Sequence, residues 1–224
     1  MTFPINSLRV LALAALLCAS GAANAVIQFV GTANTVPLNT TGPMPASRDT
    51  FSDLTINTNL NTLVLSRSLD SFRYTVGSTF ANPTDSGLYT VAAAGTLAVS
   101  TGWFTDSLIF TLLSTNVLGF GGNFFGTNLL GEATGGGLTI TATDTAGLSL
   151  TSTIAGGSLA SFAGFVSDVP LRLISVRMTT PNINVFATAD NILVTAVPEP
   201  STWMLMLAGS AVALQLAKRR RKTL

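Results

Sequence analysis

The sequence predicts an all-β protein: an antiparallel β-sandwich of jelly-roll type, flanked by an N-terminal signal helix and a C-terminal transmembrane helix. Three observations carry this. Short segments rich in Thr, Val, Leu, Ile and Phe recur between Gly, Asn, Asp and Pro, with the period-2 alternation of half-buried strands. No stretch within residues 26–196 keeps helical spacing for three turns with a charged opposing face. The high apolar content, 47% against 9% charged residues, is explained by apolar segments at the two termini.

The first of these is residues 1–25. Arg9 precedes the apolar run "VLALAALLCAS", and "ANA" places Ala23 and Ala25 three residues and one residue before a cleavage point at Val26. That is the layout read by signal peptidase. Cys18 follows the bulky Leu17, which suits a lipid-attachment signal poorly, so Cys18 is expected to leave with the signal. The mature chain then has neither Cys nor His, and its fold cannot depend on disulfides.

Residues 26–196 form one ectodomain, long enough to bury a two-sheet core. "GTANTVPLNTTGPMPASRDT" near its start is expected to be irregular. "FSDLTI" (51–56) is the first predicted strand, with Phe51, Asp53 and Thr55 on one face. "NTLVLSRSL", "FRYTV", "GTLAVST" and "SLIFTLLS" continue the pattern, and "LTITAT", "LSLTSTI", "SFAGFVS", "LRLISVRM" and "NVFATADNILVTA" complete it. The alternation in "LTITATDT" stops before any regular Thr-x-Thr array is established. "GFGGNFFG" fails the dinucleotide pattern G-x-G-x-x-G, so its glycines are read as a bulge or a close approach of strands. "EATGGGL" is read as a loop.

The tail, residues 197–224, is ordered differently. Pro198 and Pro200 flank Glu199 and stop any helix from running upstream. Residues 203–217 form an apolar run interrupted mildly by Ser210 and Gln215, and with Ser201, Thr202 and the Lys218 stem they approach the about 20 residues a bilayer core takes. Residues 218–222, including Arg219, Arg220 and Arg221, are all basic and should stay cytoplasmic. "VPEP", a short apolar helix and an Arg-rich end, in that order, resemble the PEP-CTERM sorting signal of Gram-negative bacteria. The resemblance implies recognition of Pro198, Glu199 and Pro200 by an exosortase after transient anchoring in the inner membrane. It also implies delivery to the cell surface or an exopolysaccharide matrix.

A second resemblance lies in "VLGFGGNFFGTN", "SFAGFVSDVPLRLISVRM" and "NVFATADNILV", which are similar to the lectin-like or carbohydrate-binding-like sandwiches found ahead of such tails. It implies the same fold and, as an alternative function, sugar binding.

Several chemistries lack their essential members. Without His or mature Cys there is no Ser-His-Asp triad, Cys-His pair or His/Cys zinc site. Residues 26–196 hold nine Asp/Glu, five Arg and no Lys, so neither a P-loop nor a basic nucleic-acid footprint is present. Glu132 is the domain's single Glu and is read as a solvated loop charge rather than a glycosidase acid. The expectation is a non-enzymatic protein. Asp190 and Asn191 would suit a structural calcium ion, which prefers oxygen ligands, but are read first as a turn. Trp103, Phe104, Tyr74 and Tyr89 are the aromatics that could stack on a sugar ring. Trp103, adjacent to Phe104, is read first as partly buried.

Overall fold

The computed structural model describes residues 25–31, 46–56, 58–60, 62, 64–79, 87–93, 95–182 and 184–196. Within them the chain forms fourteen strands in two sheets, and every pairing between strands is antiparallel. The larger sheet holds β1 (Ile27–Gly31), β2 (Ala46–Asp49), β5 (Leu88–Ala93), β6 (Thr96–Thr101), β8 (Val117–Thr127), β9 (Ala133–Thr134), β12 (Phe162–Ser167) and β14 (Phe186–Ala196). Its main order is β1-β12-β8-β14-β6-β5, with β2 added to β14 and β9 to β8. The smaller sheet holds β3 (Val64–Leu69), β4 (Phe72–Ser78), β7 (Ser107–Leu112), β10 (Leu138–Asp144), β11 (Ser149–Ile154) and β13 (Leu171–Met178). Its order is β11-β10-β13-β7-β4-β3.

Alternation decides which face each strand buries. In β10, Leu138, Ile140 and Ala142 are fully buried while Thr139, Thr141 and Thr143 face outward. The inner faces of the two sheets meet in one core. Tyr74 of β4 and Phe110 of β7 reach Phe120 of β8 with ring centroids 6.4 and 5.1 Å apart, and Phe110 lies 6.3 Å from Phe124. Tilted and edge-on aromatic pairs of this kind add to the area they bury.

The early part of the ectodomain departs from the sequence reading. Residues 51–56 are not a strand but a turn, closed by the Leu54 N–H donating to the Phe51 carbonyl at 3.0 Å. Phe51 has a positive φ of 53° and is completely buried, a costly backbone state for a bulky residue. Its N–H donates to Asp49 Oδ1 at 2.9 Å, and the Arg67 guanidinium lies 5.3 Å from its ring centroid. Core burial of the ring thus outweighs the period-2 pattern. The stretch expected to be irregular contains β2 at residues 46–49, and residues 32–45 lie outside the described part. β1, β5 and the two-residue β9 were not anticipated either.

Ala25 is described, whereas the rest of the signal segment, Ala23 included, and residues 197–224 lie outside the described residues. Among the described residues no helix is long and apolar enough to cross a membrane.

Candidate functional site

On the larger sheet a cavity of about 470 Å³ opens on the face turned away from the core. Register puts its residues there. Tyr89 stands opposite Ser100, Ser100 opposite Thr188, and Phe186 opposite Thr127. Directly opposed residues share a face, while the chain neighbours Leu88, Val99 and Ala187 all enter the core. Val91 extends the cavity wall along β5.

Hydroxyls of Ser100 and Thr127 form the floor, with Thr188 bonded to both but outside the lining. Thr188 Oγ1 lies 2.7 Å from Thr127 Oγ1 and donates to Ser100 Oγ at 3.0 Å, and all three residues are buried. Thr101 also lines the cavity, and its buried hydroxyl has no hydrogen-bond partner among the described residues. Thr101 stands opposite the buried Leu88, so its side chain belongs to the inner face and its hydroxyl is not offered to the cavity.

Two loops form the walls. After β6, Gly102 and the half-buried Trp103 enter the cavity. The Gly102 N–H donates to the Gly87 carbonyl at 2.9 Å, and the Asp106 N–H to the Trp103 carbonyl at 3.1 Å. Trp103 packs on Phe104 with centroids 5.0 Å apart, and Ser78 Oγ donates to the buried Asp106 carboxylate at 2.8 Å. The indole thus packs on Phe104, and the loop that carries it is tied by these hydrogen bonds. After β8, Asn128 organises the other loop. Its Oδ1 accepts the N–H groups of Leu130 and Glu132 at 2.9 and 3.0 Å, and its Nδ2 donates to Glu132 Oε2 at 2.8 Å. Gly131, at φ 80°, lets the chain turn there, which leaves Leu129 and Leu130 exposed at the rim.

The residues singled out from the sequence separate into different places. Trp103 and Tyr89 wall the cavity. Tyr74 does not belong with them: it is 1% exposed and donates its hydroxyl to Asp49 Oδ2 at 2.7 Å. Asp190 and Asn191 are not among the cavity's lining residues and form no turn. They lie inside β14, at a bulge where the register against β8 shifts and Asn191 takes a φ of 51°. At that point β14 exchanges β6 for β2 as its neighbour. Asp190 Oδ1 accepts the Asn191 N–H at 2.5 Å and Oδ2 accepts its Nδ2 at 3.0 Å. Burial raises the Asp190 carboxyl above the usual range, opposed by that Asn191 N–H. Among the described residues no three His, Cys, Asp or Glu side chains group to hold a metal ion.

A buried polar cluster escaped the sequence reading. Asp49, on β2 of the larger sheet, receives Arg67 Nε and Nη2 at 2.7 Å each, besides the Tyr74 hydroxyl. Arg67 and Tyr74 belong to β3 and β4 of the smaller sheet, so the cluster ties the two sheets together. Arg67 also forks onto the exposed Asp53 at 2.9 and 2.7 Å. Hydrogen bonds to Asp49 and then Asp53 raise the guanidinium's already high pKa. Burial first, and the Asp49 charge second, push the Tyr74 hydroxyl well above its usual range. The arrangement is a structural clamp between the two sheets.

The remaining site residues sit in the tail. Residues 196–222 match the PEP-CTERM protein-sorting motif. The matched span contains Pro198, Glu199, Pro200, Arg219, Arg220 and Arg221. It marks an exported protein held at the membrane before cleavage. Comparison with curated proteins finds no match. Among solved structures the chain is similar to "TmCBM61 in complex with beta-1,4-galactotriose", at 16% identity and a TM-score of 0.29. The match covers 55% of this chain and 88% of that one.

Proposed function

We propose that this chain is an exported, non-enzymatic surface or matrix protein of a Gram-negative bacterium. Signal peptidase removes residues 1–25, and the apolar segment 203–217 then anchors the protein in the inner membrane. An exosortase reading Pro198, Glu199 and Pro200 processes it for the cell surface or the exopolysaccharide. The observation that supports this reading is the sorting motif at residues 196–222. In a host with an exosortase, mass spectrometry of the mature protein is expected to find Val26 first and residues 218–222 absent. Deleting the exosortase gene should leave the tail intact in the membrane fraction. An intact tail in the unmodified host reduces the motif to a plain anchor.

A second reading, a carbohydrate-binding module, is favoured by one observation: an uncharged cavity walled by Trp103 and Tyr89 over a floor of hydroxyls. Its test is saturable binding of the host's own exopolysaccharide, with calcium and then with a chelator. Loss of binding on chelation would bring in the structural calcium for which Asp190 and Asn191 were considered, and persistence would dispense with it.

A further inference from the structure

The cavity's chemistry narrows what it can hold. No lining residue is an acid, a Lys or an Arg, so nothing in it compensates a ligand charge. Behind the Asn128 wall stands a carboxylate: Glu132 Oε2 accepts the Asn128 amide at 2.8 Å. Its field repels an anion approaching that side. The domain's cations do not help, since none of its five Arg side chains lines the cavity.

What remains suits an uncharged ring that carries hydroxyls. Trp103, Tyr89 and Phe186 offer apolar faces, and Val91 and Leu129 extend them. Ser100 and Thr127 line the cavity, and each hydroxyl has one donor and two acceptor positions, so after their bonds to Thr188 they keep capacity for hydroxyls of a ligand. A volume of about 470 Å³ falls within the range of small-molecule sites, about 300–1,000 Å³. That is room for one or two sugar rings rather than a long chain.

We propose, building on the carbohydrate-binding reading, that the cavity takes a neutral saccharide residue, one or two rings stacked against Trp103, and excludes uronate or sulfated sugars. The test uses the full chain purified in a detergent without a sugar headgroup. The probes are immobilised neutral gluco-, galacto- and manno-oligosaccharides, set against polygalacturonate and alginate. At least one neutral series is expected to bind and the acidic polymers are not. Affinity should change less than about two-fold between about 50 and 500 mM salt, because no ion pair is screened. Trp103→Ala should weaken binding roughly ten-fold or more, and the near-isosteric Thr127→Val should weaken it without altering the unfolding midpoint beyond a few degrees.

Binding only to the acidic polymers, or binding that salt abolishes, overturns the neutral-ligand inference and leaves the carbohydrate reading standing. Neutral binding that neither variant disturbs overturns the placement in this cavity. No binding to any glycan removes the carbohydrate reading and the inference with it.

Discussion

Asp49 is 3% exposed and carries its charge between two sheets, compensated by Arg67 and Tyr74. Taking away one partner of such a pair leaves an uncompensated buried charge. Arg67→Ala is therefore expected to cost about 3–5 kcal/mol, measured by urea unfolding. Arg67→Lys should recover only part of this, because an ammonium cannot reproduce the two-pronged geometry. The sequence offered no sign of the cluster: Asp49 lies in a Pro/Gly/Thr-rich stretch, and Arg67 looks like the polar half of an alternating strand. Asp190 makes a prediction about pH. Burial raises its folded pKa, with Arg48 opposing and Asp49 adding to the shift. As pH rises out of the ordinary carboxylate range, the unfolded chain has already lost a proton that the folded chain still holds. Stability therefore falls through that window. Asp190→Asn keeps an acceptor for the Asn191 N–H and removes the titration. The fall in unfolding free energy that Asp190 contributes as pH rises out of the ordinary carboxylate range should be absent in the variant.

Strand packing sets the next level. β8 and β14, eleven residues each, form the centre of the larger sheet, and glycines in β8 let side chains from β14 and its surroundings close in. A Cβ on Gly122 would stand 2.7 Å from Ile192 Cδ1 and 3.1 Å from the Asp190 carbonyl. Gly122→Ala should cost about 1–3 kcal/mol by overpacking. Gly135→Ala, where a Cβ meets nothing within 4 Å, should stay within about 0.5 kcal/mol. A thermal unfolding series distinguishes them. The close approach at Gly122 is one of the two readings, a bulge or a close approach of strands, that the glycines of "GFGGNFFG" carried in the sequence. The smaller sheet shows the opposite case. One strand's alternation, "LTITATDT", runs out, yet pairing sets Thr139 beside Thr153, Thr141 beside Thr151 and Thr143 beside Ser149. The outward row of Thr139, Thr141 and Thr143 on β10 is thus doubled by hydroxyls of β11 across the pairing.

For the whole molecule, the described fold reaches the proposed cleavage point at Val26. Its N–H donates to Asp168 Oδ1 at 2.7 Å, and β1 continues from it onto β12. Cleavage before Val26 would leave an α-ammonium against that carboxylate. The pair is exposed, so its contribution is small and salt-screened. Asp168→Asn in the processed protein is expected to lower the unfolding midpoint at low ionic strength, with the difference vanishing near about 0.5 M salt. In a chain that retains residues ahead of Val26 the same substitution should have less effect, because an amide replaces the ammonium.

The sorting motif and the all-β class could be read along the chain because their signals are local. A Pro-Glu-Pro element, an apolar run and a basic end each lie within a few neighbouring residues, and strand alternation repeats every two. The cavity and the Asp49 clamp could not be read this way. Ser100 and Thr188, 88 residues apart, join in one hydroxyl cluster only when β6 pairs with β14. Tyr74 and Tyr89 look alike in sequence, yet one enters the core beneath Asp49 and the other walls the cavity. Sheet register makes that choice, because it assigns each side chain to the inner or outer face.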